Sequence, residues 1–432
     1  MVRQWVTVRE HARLTTSACE ESLDEASVSP DAFEWLCKLQ SSYGKQGARL
    51  IEVENRCWLR LDNYVGVIST PCGTNIEILP KHYEKGDSLG KSRALLCKLI
   101  SSALNISHRE TSAAELSLFR YPLTEWVMRQ FLNALNVLLK RGLRFDYRQV
   151  EEEQRYLRGQ LNMGQQIRQP PGRQHLFPLR HAIFVPDRPE NRLLRRAVDK
   201  IARVTKEPEN WRLAHELSGL MRDIAPSQQV KIDFSSWRCD RLMAHYRAIK
   251  PWCEVILGEY LPLAVSGQSR GISLLFPMER LFEQHVAAVL QRRLTEDATL
   301  CRQAASQYLC KQNGDDVFLL KPDIVVDTSS KRWVVDTKWK RLYGEGSGDK
   351  YALKESDFYQ MLAYGLRYMD GEGDMILIYP KTHHFAQPLS PFTLPARLRL
   401  HVWPFDLDND ELITSEECAL PLGENDPKHL RG

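Results

Sequence analysis

The segment running from Leu320 through Pro322, Asp323 and Val326 to Asp336, Thr337 and Lys338 constrains this chain more than any other. Two short β-branched runs, Ile324-Val325-Val326 and Trp333-Val334-Val335, enclose a polar turn, which is the pattern of a hairpin. With Ser329 and Ser330 as the central turn residues, cross-strand partners carry numbers that sum to 659, and Asp323 stands opposite Asp336. Partners across a hairpin project on one face. Because side chains alternate along a strand, Asp336 and Lys338 share that face, while Val335 and Thr337 are expected to point the other way. Two acids and an ammonium should therefore converge amid apolar sequence.

As a purely structural feature such a cluster is costly, since the acids repel and all three groups lose hydration. A divalent cation between the carboxylates removes that objection. Oxygen ligands with waters completing an octahedron suit Mg²⁺. The ion would lower the pKa of a bound water and stabilise charge on a phosphodiester, and Lys338 would orient or help deprotonate the attacking water. Phosphodiester hydrolysis is the reaction that fits. The bland alternative, surface acids flanking a turn and paired with Lys338, is disfavoured because both acids sit beside runs that read as core strands.

The rest of the chain is organised around this segment. Its 432 residues, 43% hydrophobic and 26% charged, exclude a disordered tail or fibre and predict two or three domains. No apolar run approaches a membrane span and the amino terminus lacks a secretory apolar core, so a soluble, cytoplasmic protein is expected. Ten scattered cysteines without a C-x-x-C pair signal neither a zinc site nor a disulfide framework. A net charge of +4 is too weak to identify a nucleic-acid binder by itself.

The expected fold class is α+β and multi-domain. Residues 1–90 read as a β-containing docking module, with a hairpin of Tyr64–Ile68 and Asn75–Leu79 around Pro71–Thr74. Residues 91–270 read as a helical middle, in which Gly142–Pro189 is a connecting region and Asn191–Val204 a helix with a cationic face of Arg192, Arg195, Arg196, Lys200 and Arg203. Residues 271–400 predict helix 277–294, strands 317–327 and 333–339, helix 353–369 and strand 375–379, while 401–432 reads as an acidic edge or tail.

Pro322-Asp323 followed by Asp336-Thr337-Lys338 resembles the signature of the PD-(D/E)xK nuclease superfamily. That resemblance implies an additional acid from the preceding helix, Glu283, and a Q-x-x-x-Y helix beside the metal, matched by Gln360 and Tyr364. Asp323 and Asp336 would be the metal ligands with the Thr337 carbonyl, Lys338 would position water, and Gln360 would orient the set. Over roughly residues 64–380 the chain also resembles the McrC family, the nuclease subunits of McrBC-type modification-dependent restriction systems. The matching residues include Tyr64–Ile68, Ile76–Lys81, Gly142–Tyr147, Leu157–Leu161 and Asn191–Leu194. This implies a McrB-like hexameric AAA+ GTPase partner whose GTPase the chain stimulates, double-stranded DNA carrying 5-methylcytosine, no nucleotide bound by this chain, and pairing only within the assembled complex. A non-catalytic activator of a motor and a stand-alone repair nuclease are the competing readings.

Several motifs are set aside. Gly86–Ser92 imitates a phosphate-binding loop, but Lys85 occupies the place of its first glycine. Gly267-Gln268-Ser269-Arg270-Gly271 spells a nucleophile elbow, with His285 downstream, but extended rather than helical sequence follows. His383-His384 reads as a surface pair whose side chains diverge on a strand, and most of the tryptophans as core. The glycine-rich loop at 344–350 follows the Lys338 strand and would either order on DNA or serve as a connector.

Overall fold

Met375-Ile376-Leu377-Ile378-Tyr379 carries no charged residue, and such a run is stable only as a strand covered on both faces. In the computed structural model, which describes residues 4–43, 50–81, 89–104, 123–238, 240–258, 274–342 and 350–423, it is the middle of the Glu372–Pro380 strand, and all five side chains are buried. That strand lies parallel to Arg332–Thr337 on one side and to Arg397–Asp406 on the other. Parallel neighbours need a crossover, and the Glu355–Tyr368 helix supplies the first one. The helix packs closely: a Cβ on Gly365 would meet Leu398 and Met375 at 2.7 Å. The sheet continues outward through Ile324–Asp327 to Thr299–Arg302, both antiparallel.

Two expectations fail here for identifiable reasons. The predicted strand 317–327 is two strands, Asp315–Leu320 and Ile324–Asp327, because Pro322 has no N–H to give a ladder. The first of them pairs instead with Gln307–Gln312. Residues 401–406, expected in the tail, complete the ten-residue Arg397–Asp406 strand, so the boundary at 400 falls inside a core element. The charged residues that follow it masked an apolar strand.

The chain divides into two units, Met1–Arg120 with Leu275–Gly432, and Tyr121–Leu274, rather than into consecutive segments. In the first unit the expected hairpin forms from Tyr64–Ser69 and Asn75–Leu79. Trp5–Arg9 adds to it in parallel, and Leu274–Pro277 joins its other edge. The fourth strand thus leads directly into the Met278–Arg293 helix, whose first N–H donates to the Asn63 carbonyl at 3.0 Å. The Leu89–Ala103 helix packs against that helix. A second small sheet combines residues 13–15, 25–27, 51–53 and 58–61.

The second unit is not purely helical. Within the expected connecting region, Asp146–Gln154 and Phe177–Val185 are nine-residue antiparallel strands. Every residue of the first is exposed or only half-buried, so no apolar alternation announced it. The cationic helix, Pro189–Val204, spends its charges internally: Arg192 binds Asp187 and Asp233, Arg196 donates to the Ser227 carbonyl, and Lys200 to that of Ile256. Those side chains, with Arg195 on Asp199 and the Ser218 carbonyl, act as tethers, while Arg203 is exposed, so the expected solvated face is realised only in part.

Candidate active site

The hairpin has the expected register. Thr328 N–H donates to the Lys331 carbonyl at 2.9 Å across the Ser329-Ser330 turn, and Ile324 through Asp327 face Val335 through Arg332. Asp323 is one residue beyond the last rung, opposite Asp336. It lies at the bend that Pro322 creates, which frees its carboxylate to reach around the strand end. There Oδ2 accepts both the backbone N–H and the hydroxyl of Thr337, each at 2.8 Å. The Thr337 side chain is therefore part of the cluster, not turned away from it as strand alternation suggested.

Asp336 is 1% exposed, and its Oδ2 lies 2.6 Å from Lys338 Nζ. The contact is a short, charge-assisted ion pair that offsets part of the cost of burying this carboxylate. Lys338 Nζ donates to Gln360 Oε1 at 3.0 Å, Gln360 Nε2 to the Tyr364 hydroxyl at 2.7 Å, and that hydroxyl to the Lys321 carbonyl at 3.0 Å. The network begins at one acid and closes on the residue pair preceding the other. Asp323, Asp336, Thr337, Lys338 and Gln360 thus meet in one place.

Glu283, on the Met278–Arg293 helix, accepts from Gln303 Nε2 at 2.6 Å. Its carboxyl sits above the ordinary glutamate range, first from burial and then from the neighbouring Asp323 charge. Burial likewise raises Asp323, although the two Thr337 donors oppose it. Asp336 is pushed up to about 7, by burial first and the Asp323 charge second. For Lys338, burial disfavours the charged form, but the Asp336 carboxylate outweighs it and holds the ammonium above its usual value. One ammonium faces several acids.

Asp357 is the residue that sequence reasoning missed. It is buried in the first turn of the Glu355–Tyr368 helix, accepts from the Tyr379 hydroxyl at 3.2 Å, and its charge acts on both Asp336 and Lys338. Its spacing, one helical turn before Gln360, was the available signal.

The arrangement suits a hard divalent cation. It offers carboxylate oxygens from Asp323 and Asp336, and excess negative charge that a cation would neutralise. A different group, Asp374, His401 and Cys418, also brings ligand atoms within 4.8 Å of one another. There Asp374 already binds Lys331 at 2.7 Å, Arg399 at 2.8 Å and His401 Nε2 at 3.0 Å, so its charge is matched by cations, although the buried Nδ1 of His401 has no hydrogen-bond partner among the described residues.

The motifs set aside resolve as follows. His285 is held between the Ser102 hydroxyl and Asp410, both at 2.8 Å, as a fully buried link between elements. His383 and His384 are exposed, but at a tight turn between Thr382 and Phe385, with their rings 5.3 Å apart rather than diverging. Trp126, Trp237, Trp252, Trp333 and Trp403 are buried, Trp35, Trp58 and Trp339 half-buried, and Trp5 and Trp211 exposed. The imitation phosphate loop up to Ser88, the elbow at 267–271 and the glycine-rich loop up to Asp349 lie outside the described residues. Among the described residues no helix is long and apolar enough to cross a membrane.

A sequence model of the McrBC family, described as "McrBC 5-methylcytosine restriction system component", matches residues 59–380. The chain belongs to the McrBC family. The match embraces the amino-terminal hairpin, the second unit and the whole acid–lysine cluster. Among solved structures, a chain of the Thermococcus gammatolerans assembly of McrB AAA+ hexamers with bound McrC is similar in fold. It has a TM-score of 0.68 at 18% identity, over 93% of this chain and 95% of that one. A second match, to the T. gammatolerans McrBC complex, has a TM-score of 0.52 at 21% identity, over 67% of this chain and 88% of that one. No curated protein matches.

Proposed function

We propose that this McrBC family member is the Mg²⁺-dependent endonuclease subunit of a GTP-dependent restriction complex, cutting double-stranded DNA that carries 5-methylcytosine. The single observation that carries the reading is the convergence of Asp323, Asp336 and Lys338, in which two crowded carboxylates share one ammonium. Asp323, Asp336 and the Thr337 carbonyl would hold the ion. When bound, it would supply a more acidic water and charge neutralisation at the phosphodiester.

The chain's own residues do the rest. Thr337 fixes the Asp323 carboxylate, so one ligand oxygen is pre-set and the other stays available. Lys338 orients the attacking water, and Gln360, braced by Tyr364, limits where its ammonium can sit. Glu283 adds acidity beside Asp323, as either an outer support or a second-ion ligand. Membership of the family and the McrB AAA+ hexamers bound in the similar assembly support docking on a McrB-like partner, and stimulation of that partner's GTPase is part of the same proposal.

The test combines the purified chain, a McrB-like partner, GTP and methylated or unmethylated DNA, with Mg²⁺ or a chelator. Cutting is expected only with partner, methylation and Mg²⁺ together, and to be lost in Asp336→Ala while partner GTPase stimulation persists. Cutting by the chain alone would favour a stand-alone nuclease. Stimulation without any cutting would make it an activator only.

A further inference from the structure

Glu10 is a buried carboxylate, 1% exposed, just beyond the Trp5–Arg9 strand, and it grips a residue 329 positions away. Both of its oxygens accept the indole N–H of Trp339, at 2.9 and 3.1 Å. Oε1 also accepts the Lys81 backbone N–H at 2.7 Å, and the Glu10 N–H donates to the Leu79 carbonyl at 2.9 Å. A second stitch lies beside the first: Arg341 Nε donates to the Lys81 carbonyl at 3.0 Å. The ends of two amino-terminal strands are thereby tied to residues 339–341.

Trp339 directly follows Lys338, and its ring tilts against Phe282 at 5.4 Å, the neighbour of Glu283. An indole held at its N–H on one side and its ring on the other cannot rotate freely, so the adjoining Lys338 backbone is fixed from outside its own sheet. Burying an acid is costly even when it is hydrogen-bonded, and an apolar side chain would pack here at lower cost. Such a cost is sustained where the grip itself matters.

We propose that Glu10 is a positioning residue of the cleavage centre, holding Lys338 in place through Trp339 from the amino-terminal sheet. Its kinetic consequence rests on the nuclease reading above, whereas the mechanical link can be measured without it.

The test uses the full chain as wild type, Glu10→Ala, Glu10→Gln, Trp339→Phe and the Glu10→Ala/Trp339→Phe double variant. Amide exchange over 338–341 is expected to quicken about tenfold in Glu10→Ala and Trp339→Phe, and to stay near wild type in Glu10→Gln, which keeps an acceptor. Exchange in the Glu355–Tyr368 helix should not change. With partner, GTP, Mg²⁺ and methylated DNA, kcat should fall about tenfold or more in Glu10→Ala and Trp339→Phe at unchanged KM, with rescue in Glu10→Gln and no further loss in the double variant. Unchanged exchange in both single variants overturns the link. Quickened exchange with intact kcat overturns the positioning role. If wild type does not cut at all, the nuclease reading has failed, and the exchange result still decides whether Glu10 restrains the Lys338 segment.

Discussion

Asp336→Asn should make the metal-free protein more stable at pH 8 than the natural sequence, although it destroys the proposed site. Burial and the Asp323 charge raise the Asp336 carboxyl from 3.8 to about 7. A shift of that size, at about 1.4 kcal/mol per pH unit, corresponds to roughly 4 kcal/mol of disadvantage for the ionised form in the folded state. The folded state binds this proton more tightly than the unfolded chain does. Its contribution to stability is therefore complete below pH 3.8, declines as pH rises, and is lost above about 7.

Asparagine keeps the shape and removes the charge, but it leaves Lys338 without its ion pair, so a net gain of about 2 kcal/mol at pH 8 is the expected outcome. Urea unfolding followed by tryptophan fluorescence measures it. Below about pH 3.8 the difference should nearly vanish. Mg²⁺ at a hundredfold excess over its Kd should stabilise the natural protein by about 2.7 kcal/mol and the variant by much less. A variant that is less stable at pH 8 without metal, or that gains as much from Mg²⁺, would refute the picture of two crowded acids awaiting a cation.

Three further outcomes follow from the same geometry. Mg²⁺ affinity measured by calorimetry should fall by up to about tenfold per pH unit below 7, because the Asp336 proton must leave before the ion binds; a flat profile from pH 5.5 to 8 contradicts this. Tyr364→Phe removes the hydroxyl that joins Gln360 to the Lys321 carbonyl, and should cost about 1 kcal/mol of stability in urea and lower kcat several-fold by loosening Gln360. Gly365→Val should destabilise by about 1–3 kcal/mol in the same assay, since even its Cβ meets Leu398 and Met375 at 2.7 Å; an unchanged midpoint would show that the helix can lift off the sheet freely.

The cluster was legible in the sequence because its determinants are local. A two-residue turn between β-branched runs fixes register within fifteen residues, and alternation then places Asp336 and Lys338 together. The Gln360–Tyr364 pair came from the family resemblance, and its one-turn spacing is what lets the two side chains meet on the helix. Alternation misled only at Thr337, where Pro322 ends the partner strand and lets Asp323 fold around it. The parts that were not legible depend on distant partners. Asp146–Gln154 is a strand because Phe177–Val185 pairs with it, not because of its own pattern. Residues 401–406 looked like the start of an acidic tail until the parallel neighbour of their strand was known. Asp357 drew no notice because a lone acid in a first helical turn is ordinary, and its spacing from Gln360 gains meaning only beside Tyr379 and the nearby cluster.

The loan of Leu274–Pro277 to a sheet otherwise built from residues 5–79 has a consequence for biosynthesis. During translation the first three strands must wait for some two hundred residues of chain before their edge is closed. A fragment beginning at residue 278 would lack both that edge and the Leu89–Ala103 helix, leaving one flank of the Met278–Arg293 helix bare. On the nuclease reading proposed above, a released piece carrying the acid–lysine hairpin without these supports is expected to be inactive, which would spare a host a free nuclease acting on its own chromosome.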